Sequence, residues 1–551
     1  MVADEIGLAP LPITVAVAAR PRLARLLAPE WQQMSLRPGT AVEDLGCDFV
    51  LLEVRGGRVS GWEHTHPELV DSIHRWMLSG VPVVVWVTSG PLTDAAWIKD
   101  VTSVAAVTNA LADELRPLHH TVMVLPAAAQ PRRHRPSGPY GRRHGAVVIV
   151  DGLQDLASND VLAAVVSPAL KPLSSDDLLI QRVKGKSSSV TLPTSLGDRV
   201  GRSIGHEDVA ASASRSRVGL DLSACGPDAA WTSMALASSA NTLVGTPGLS
   251  GNLPDDVAQL IVQVEEPQDL RSEMVARVVQ EELFAREGHR LHRAVLNAHT
   301  LGHRARSFVH AAGVDLASTP AESVSAIVPT NRQHEISNIL ENVGRQSFAN
   351  RELVLVLHGL EMVESDLRAR ASDAGIDNLA VVNADPGLTL GACMNLGVDA
   401  ASGRYIAKMD DDNFYGEHYL ADLVNAFSYS SAGIVGKWCH YVWLRSSGAV
   451  VLRYPDSEHR SERRIQGGSM LFDGDVARAL RFSDIPRAVD SDILDRARLE
   501  GVGIYSADRF NFVSIRGADR HSHTWTVGDS TFMTKTGRLM FYGDPRQHAS
   551  V

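Results

Sequence analysis

Three consecutive carboxylates, Asp410, Asp411 and Asp412, follow directly on a short apolar run in the stretch Arg404-Tyr-Ile-Ala-Lys-Met-Asp-Asp-Asp-Asn413. Groups packed this closely repel one another unless a positive charge lies among them, and a divalent cation bound through carboxylate oxygens supplies one. Such a cation would act as a Lewis acid, with no proton needed. The competing reading is a helix cap, with Asp412 or Asn413 starting a helix near Gly416. Lys408, just upstream, is expected on the other face of the run as a solvent-facing or structural ion-pair lysine.

The elements around the triplet decide between these readings. Tyr405–Met409, bounded by Gly403 and by acids, reads as an interior strand of an α/β sheet, and such sheets place ligand chemistry just beyond the carboxyl ends of their strands. Val324–Val328 reads as a strand stopped by Pro329. His334–Gln346 reads as a helix with Ile336, Ile339, Leu340 and Val343 on one face. Leu353–Leu357 and Leu379–Val382 are further strands and Leu390–Ala400 a further helix. Downstream, Gly433–Trp438, Ala449–Tyr454 and Phe510–Arg516 read as strands.

The order strand, Pro329-Thr-Asn-Arg332, helix, strand, helix, strand, Asn395-Leu-Gly397, Ala-Ser-Gly403, strand, Asp-Asp-Asp resembles the family-two glycosyltransferases of GT-A fold over roughly residues 322–525. The resemblance implies that Pro329, Thr330 and Arg332 flank a nucleotide. Asp410 and Asp412 become the outer acids of the family's Asp-x-Asp metal motif, with Asp411 in its middle. His358-Gly359 stands where the family places an acidic pair that reads the nucleobase, and a histidine can still bond a base edge. Asn395 follows Cys393-Met394 where the family often has Ala-Arg, so an arginine contact to phosphate is lost. Gly467 and Gly468, in Arg464-Ile-Gln-Gly-Gly-Ser-Met470, match a segment near the donor sugar and acceptor, where glycine lets backbone approach closely. In Ala488-Val-Asp-Ser-Asp-Ile-Leu-Asp-Arg-Ala-Arg498, with Arg496 as anchor, Asp490 matches the catalytic base and Asp492 is the alternative. A carboxylate at a helix N-terminus stays ionised and can take the acceptor hydroxyl's proton. A histidine late in these domains often completes the metal site, which points to His523 before His521 and to Mn²⁺ or Mg²⁺.

The expected activity is metal-dependent, inverting transfer from a nucleoside-diphosphate sugar, a UDP-sugar, to a glycan, polymer, lipid-linked or protein acceptor, as in cell-wall polysaccharide biosynthesis. Two alternatives stand beside it: a nucleotidyl or phosphoryl transferase using the same acidic site, and a non-catalytic sugar-nucleotide or glycan-binding protein.

The rest of the chain is consistent with a large multidomain protein. At 551 residues it exceeds a single core, and its formal charge of −11 argues against nucleic-acid binding. Four scattered cysteines with no paired spacing suit a reducing compartment. No signal peptide or membrane-spanning run is read, so the expected place is the cytoplasm, with peripheral attachment to the inner membrane face allowed.

Residues 1–130 alternate strand and helix as a Rossmann-like lobe, and 131–311 form a second. Their junction, Pro131 to Gly145, reads as an exposed Arg/Pro/Gly linker. The pair resembles a CgeB-like glycosyltransferase of GT-B fold, ending in Leu291-His-Arg-Ala-Val-Leu-Asn-Ala-His-Thr-Leu-Gly-His-Arg304. The helix expected to grip a donor, Ala229–Ser238, has neither carboxylate nor arginine, which implies a scaffolding or recognition role. Residues 323–525 form the catalytic domain and 526–551 a C-terminal tail.

Overall fold

Valine-rich runs such as Phe49–Arg55 and Val83–Ser89 are buried almost throughout, as parallel strands covered on both faces must be. They belong to a computed structural model that describes residues 10–40, 46–62, 66–93, 95–138, 145–151, 160–174, 176–184, 194–316, 322–485, 487–517, 529–534 and 536–551. The chain divides into two units, one comprising Ala9–Pro136 with Gly141–Thr319, the other chiefly Pro320–Val551. Among the described residues no helix is long and apolar enough to cross a membrane.

The first unit holds two parallel sheets. One runs in the order Trp31–Ser35, Leu11–Ala18, Phe49–Arg55, Val83–Ser89, Ser103–Ala106, Val122–Val124, with Arg58–Val59 folding back antiparallel on Phe49–Arg55. The other runs Val262–Gln263, Thr242–Gly245, Val218–Leu220, Ala146–Val150, Leu178–Arg182. Two helices, Pro267–Val279 and Glu281–Ala298, are separated by Gln280, which adopts extended dihedrals. The expected linker is anchored at its start: Gln130 and His134 are 0% and 6% exposed, and the Ser238 hydroxyl donates to the His134 carbonyl at 2.6 Å.

In the second unit the main sheet runs Leu379–Ala384, Arg351–His358, Val324–Thr330, Tyr405–Met409, Ser469–Asp473, Ile434–Gly436, Ile504–Ser506, Arg460–Ser461. Its first four strands are parallel, and Ser469–Asp473 runs against them. A second sheet, Phe414–Tyr415, Phe512–Arg516, His440–Leu444, Ala449–Arg453, Gly537–Tyr542, draws its last strand from the stretch read as a tail. Pro329 does not stop its strand, which runs to Thr330. Pairing with Tyr405–Met409 ends at Ile327↔Lys408, so at Pro329 one side of the strand is already open and a missing N–H is tolerated. The helix after it is shorter than expected, Ile336–Gly344 behind a 3₁₀ turn at Gln333–Glu335, with Ile336, Ile339, Leu340 and Val343 buried.

Candidate active site

Strand register brings the chemistry together. Tyr405–Met409 pairs with Ser469–Asp473 so that Met409 lies opposite Ser469, which sets Asp410 beside the Gly467-Gly468 turn. Alternation points Ile406 into a core containing Met470, Phe472, Val489 and Ile493. Val489 and Ile493 belong to the helix Val489–Leu499, so packing of that helix on this face carries Asp490, its second residue, to the end of the acidic strand.

The turn lies hard against the carboxylates, so that a side chain at either glycine would have to displace them. A β-carbon on Gly467 would come to 2.6 Å from the Asp490 carboxyl carbon, and one on Gly468 to 2.8 Å from both the Asp410 carboxyl carbon and Asn413 Nδ2. Tyr415 fixes the geometry from beneath. Its hydroxyl accepts from the Asp410 N–H at 2.7 Å and donates to the Gly468 carbonyl at 2.6 Å. Asn413 locks the far side, accepting from the Ile515 N–H at 3.1 Å while its own carbonyl accepts from Asn342 at 2.9 Å. The helix-cap reading fails, since the following helix, Tyr419–Ser430, has His418 at its N-cap.

Each acid of the triplet has a different setting. Asp411 is buried and accepts from Thr330 Oγ1 at 2.6 Å and from Arg332 Nε at 3.0 Å, with Arg332 Nη2 on its other oxygen. Arg332 Nη2 also reaches Asp412 Oδ2 at 3.0 Å. Burial lowers the Arg332 pKa, but its bonds and charge pairing with Asp411 and Asp412 outweigh that and raise it. Thr330, Arg332 and Asp411 are therefore tied to one another. The Asp412 carboxyl is pushed up by burial and by the like charge of Asp410, against the pull of Arg332. Lys408 is 2% exposed and donates to Asp410 Oδ1 at 2.7 Å and to the Gly467 carbonyl at 3.1 Å, with Asp490 Oδ1 at 3.4 Å. It is an ion-pair lysine, inside the site rather than behind it. Asp490 is pushed up by burial and by Asp410, and held down by Lys408.

These residues fit a divalent cation. Among the described residues, ion pairs join the carboxylates of Asp410, Asp411, Asp412 and Asp490 to two cationic side chains, Lys408 and Arg332. The like charge of Asp410 raises the Asp412 carboxyl, a repulsion that a divalent ion held by the two would relieve.

Other expected positions lie elsewhere. Asp492 turns away from the turn, accepting from Ser483 Oγ at 2.6 Å and Arg496 Nε at 2.8 Å, and these bonds hold its carboxyl below the ordinary range. Asn395 clamps Phe482, donating to its carbonyl at 2.8 Å and accepting from its N–H at 2.9 Å, so its amide serves packing. His358 ends its strand, 3.2 Å from the Pro386 carbonyl. His521 and His523 lie outside the described residues. Lys408, Asn413 and Tyr415 are the site residues sequence reasoning did not assign; alternation signalled Lys408 only as facing away, Asn413 was marked only as a possible helix cap, and nothing in the sequence marked Tyr415.

In the first unit, the helix read as lacking charged groups begins two residues earlier, at Pro227, and its Asp228 accepts from Arg20 at 2.5 Å and Arg55 at 3.3 Å. Arg20 also pairs with Glu53 at 2.8 Å, and Arg22 with Asp151 at 2.8 Å. Those charges compensate one another.

Residues 325–486 match the family model described as Glycosyl transferase family 2, so this segment is a glycosyltransferase domain of that family. The match takes in the acidic triplet and the paired glycines and ends just before Asp490. No curated protein matches the chain. Among solved structures, residues 1–349 of S. aureus TarS in complex with UDP are 16% identical, covering 35% of this chain and 61% of that one, with a TM-score of 0.28. The mannosyltransferase PcManGT from Pyrobaculum calidifontis, in complex with GDP-Man and Mn²⁺, is 20% identical, covering 37% of this chain and 59% of that one, with a TM-score of 0.30. The chain thus spans about three fifths of the length of either structure.

Proposed function

We propose that residues 323–525 form a metal-dependent, inverting glycosyltransferase that moves a sugar from a nucleoside diphosphate, a UDP-sugar, to a hydroxyl of a glycan, polymer, lipid-linked or protein acceptor. The observation that carries this reading is the meeting of Asp490, from a helix start, with Asp410, from a strand end, against the Gly467-Gly468 turn. Asp410 and Asp412 would hold the cation, Mn²⁺ or Mg²⁺, with His523 a further ligand. When bound, that cation neutralises the departing diphosphate as a Lewis acid. Asp490 accepts the acceptor hydroxyl's proton as the oxygen attacks the anomeric carbon. Pro329, Thr330, Arg332 and His358 line the donor side, Arg332 through its hold on Asp411 and Asp412. Gly467 and Gly468, which carry no side chains, let donor sugar and acceptor approach the backbone beside the two carboxylates.

The first unit acts as a GT-B-like scaffold or recognition module. The support is its internally paired charge network, in which Arg20, Arg22 and Arg55 are spent on Asp151, Asp228 and Glu53. The work is placed in the cytoplasm, at or near the inner membrane face.

The deciding experiment incubates the full chain with Mn²⁺ and a panel of sugar nucleotides. Nucleoside diphosphate release, lost on adding a chelator and in Asp412→Ala, supports the proposal. Pyrophosphate release identifies a nucleotidyl transferase instead, and nucleotide binding without turnover a binding protein.

A further inference from the structure

We infer that Lys408 is a positioning residue that couples the cation site to the base, by sharing one ammonium between Asp410 and Asp490; this rests on the glycosyltransferase reading above.

A buried ammonium is costly unless its protons find acceptors and its charge finds partners. Lys408 has three N–H donors and three oxygens around it: Asp410 Oδ1 at 2.7 Å, the Gly467 carbonyl at 3.1 Å and Asp490 Oδ1 at 3.4 Å. The spacing is unequal. The ammonium lies closer to the acid at the strand end than to the helix-borne one, and Asp490 Oδ1, buried from solvent, has no hydrogen-bond partner among the described residues. The lysine thus stands between two carboxylates that compete for it.

That competition has a direction. A divalent ion bound through Asp410 draws on the same carboxylate as Lys408 and repels the ammonium. The ammonium drawn off Asp410 has one other carboxylate in reach among the described residues, Asp490, through its buried Oδ1. Cation arrival therefore tightens the hold on the base and orients it over the Gly467-Gly468 turn. Without the lysine, Asp410 is a stronger cation ligand and Asp490 loses its anchor.

The test is a double-mutant cycle on Mn²⁺ affinity, measured on the full chain by thermal shift and calorimetry with Mn²⁺ alone. Lys408→Met keeps the apolar stem and removes the charge, and it is expected to tighten Mn²⁺ binding several-fold. Asp490→Asn is expected to weaken binding several-fold with Lys408 present, because the ammonium then settles wholly on Asp410. The same change in the Lys408→Met background should have at least about threefold less effect. Where turnover is measurable, Lys408→Met lowers kcat and leaves the donor KM in place, and Lys408→Arg recovers part of the loss. Additive effects, weaker Mn²⁺ binding in Lys408→Met, or no Mn²⁺ binding by the wild-type chain would overturn the inference. Should Lys408→Met fail to fold, Lys408→Gln, which also removes the charge but keeps a hydrogen-bond donor for the Gly467 carbonyl, gives the same comparison. Because affinity is read without acceptor or turnover, a cycle that is coupled in a chain with no transferase activity sinks the function and keeps the coupling, and the reverse result does the opposite.

Discussion

Asp490 has to be ionised to take a proton, and its surroundings pull both ways on that requirement. Burial and Asp410 favour the neutral acid, and Lys408 opposes them. With general-base catalysis contributing about 10²–10⁴-fold, Asp490→Asn should lower kcat by about 10²-fold or more with donor binding retained at saturating Mn²⁺, read by steady-state kinetics and nucleotide titration. Asp492 provides the contrast. Its carboxylate is spent on Ser483 and Arg496, both on the structural side of the helix, so Asp492→Ala should cost about 1 kcal/mol of stability and leave kcat within a few-fold. If the two variants exchange these phenotypes, the base has been assigned to the wrong residue. Gly467→Ala tests the space between them: the chain should fold, but the new methyl displaces Asp490, and kcat falls while Mn²⁺ binding persists.

At the scale of elements, the site exists because two connections hold their ends. The helix Leu390–Ala400 is fastened to the segment after Gly474–Leu480 through both hydrogen bonds of Asn395 to Phe482. Arg496 donates to the Leu480 and Arg481 carbonyls at 2.6 Å each, joining the base-bearing helix to the same segment. Asn395→Ala leaves the Phe482 N–H and carbonyl without these partners, at a cost of about 1–3 kcal/mol, so a lower denaturation midpoint with near-normal nucleotide affinity is expected. A large loss of nucleotide affinity at unchanged stability would instead place Asn395 on the donor.

Across the whole molecule, each unit buries a neutral imidazole. Burial, first of all, takes His134 down to about 3 and His440 down to about 4. The unfolded chain protonates these groups near their ordinary value of about 6.5, whereas the folded chain resists until the lower pH. Stability is therefore fully present above about 6.5 and falls as pH drops through that window, by roughly 1.4 kcal/mol per pH unit for each histidine. Thermal melts between pH 7 and pH 4 should show this slope, and His134→Gln should flatten it in the first unit; an unchanged slope would mean that other groups carry the acid sensitivity.

Much of this was legible in the chain itself. Local pattern sufficed for the strand Tyr405–Met409 and the helix Leu390–Ala400, because apolar spacing, Gly403 and the N-capping Thr389 act over a few residues. The same holds for the acidic triplet, which is contiguous. What sequence could not supply were the partners that folding brings in from afar: Lys408 bent towards Asp490 across the helix packing, Arg332 reaching over to Asp411, and Tyr415 joining Asp410 to Gly468. It ranked Asp490 ahead of Asp492 only through the spacing to Arg496, since both open one helix, and the packing of Val489 and Ile493 decides which carboxylate faces the strand end. Types and spacing are set by local covalent order; which charges meet is set by register and helix packing, through contacts between residues tens of positions apart.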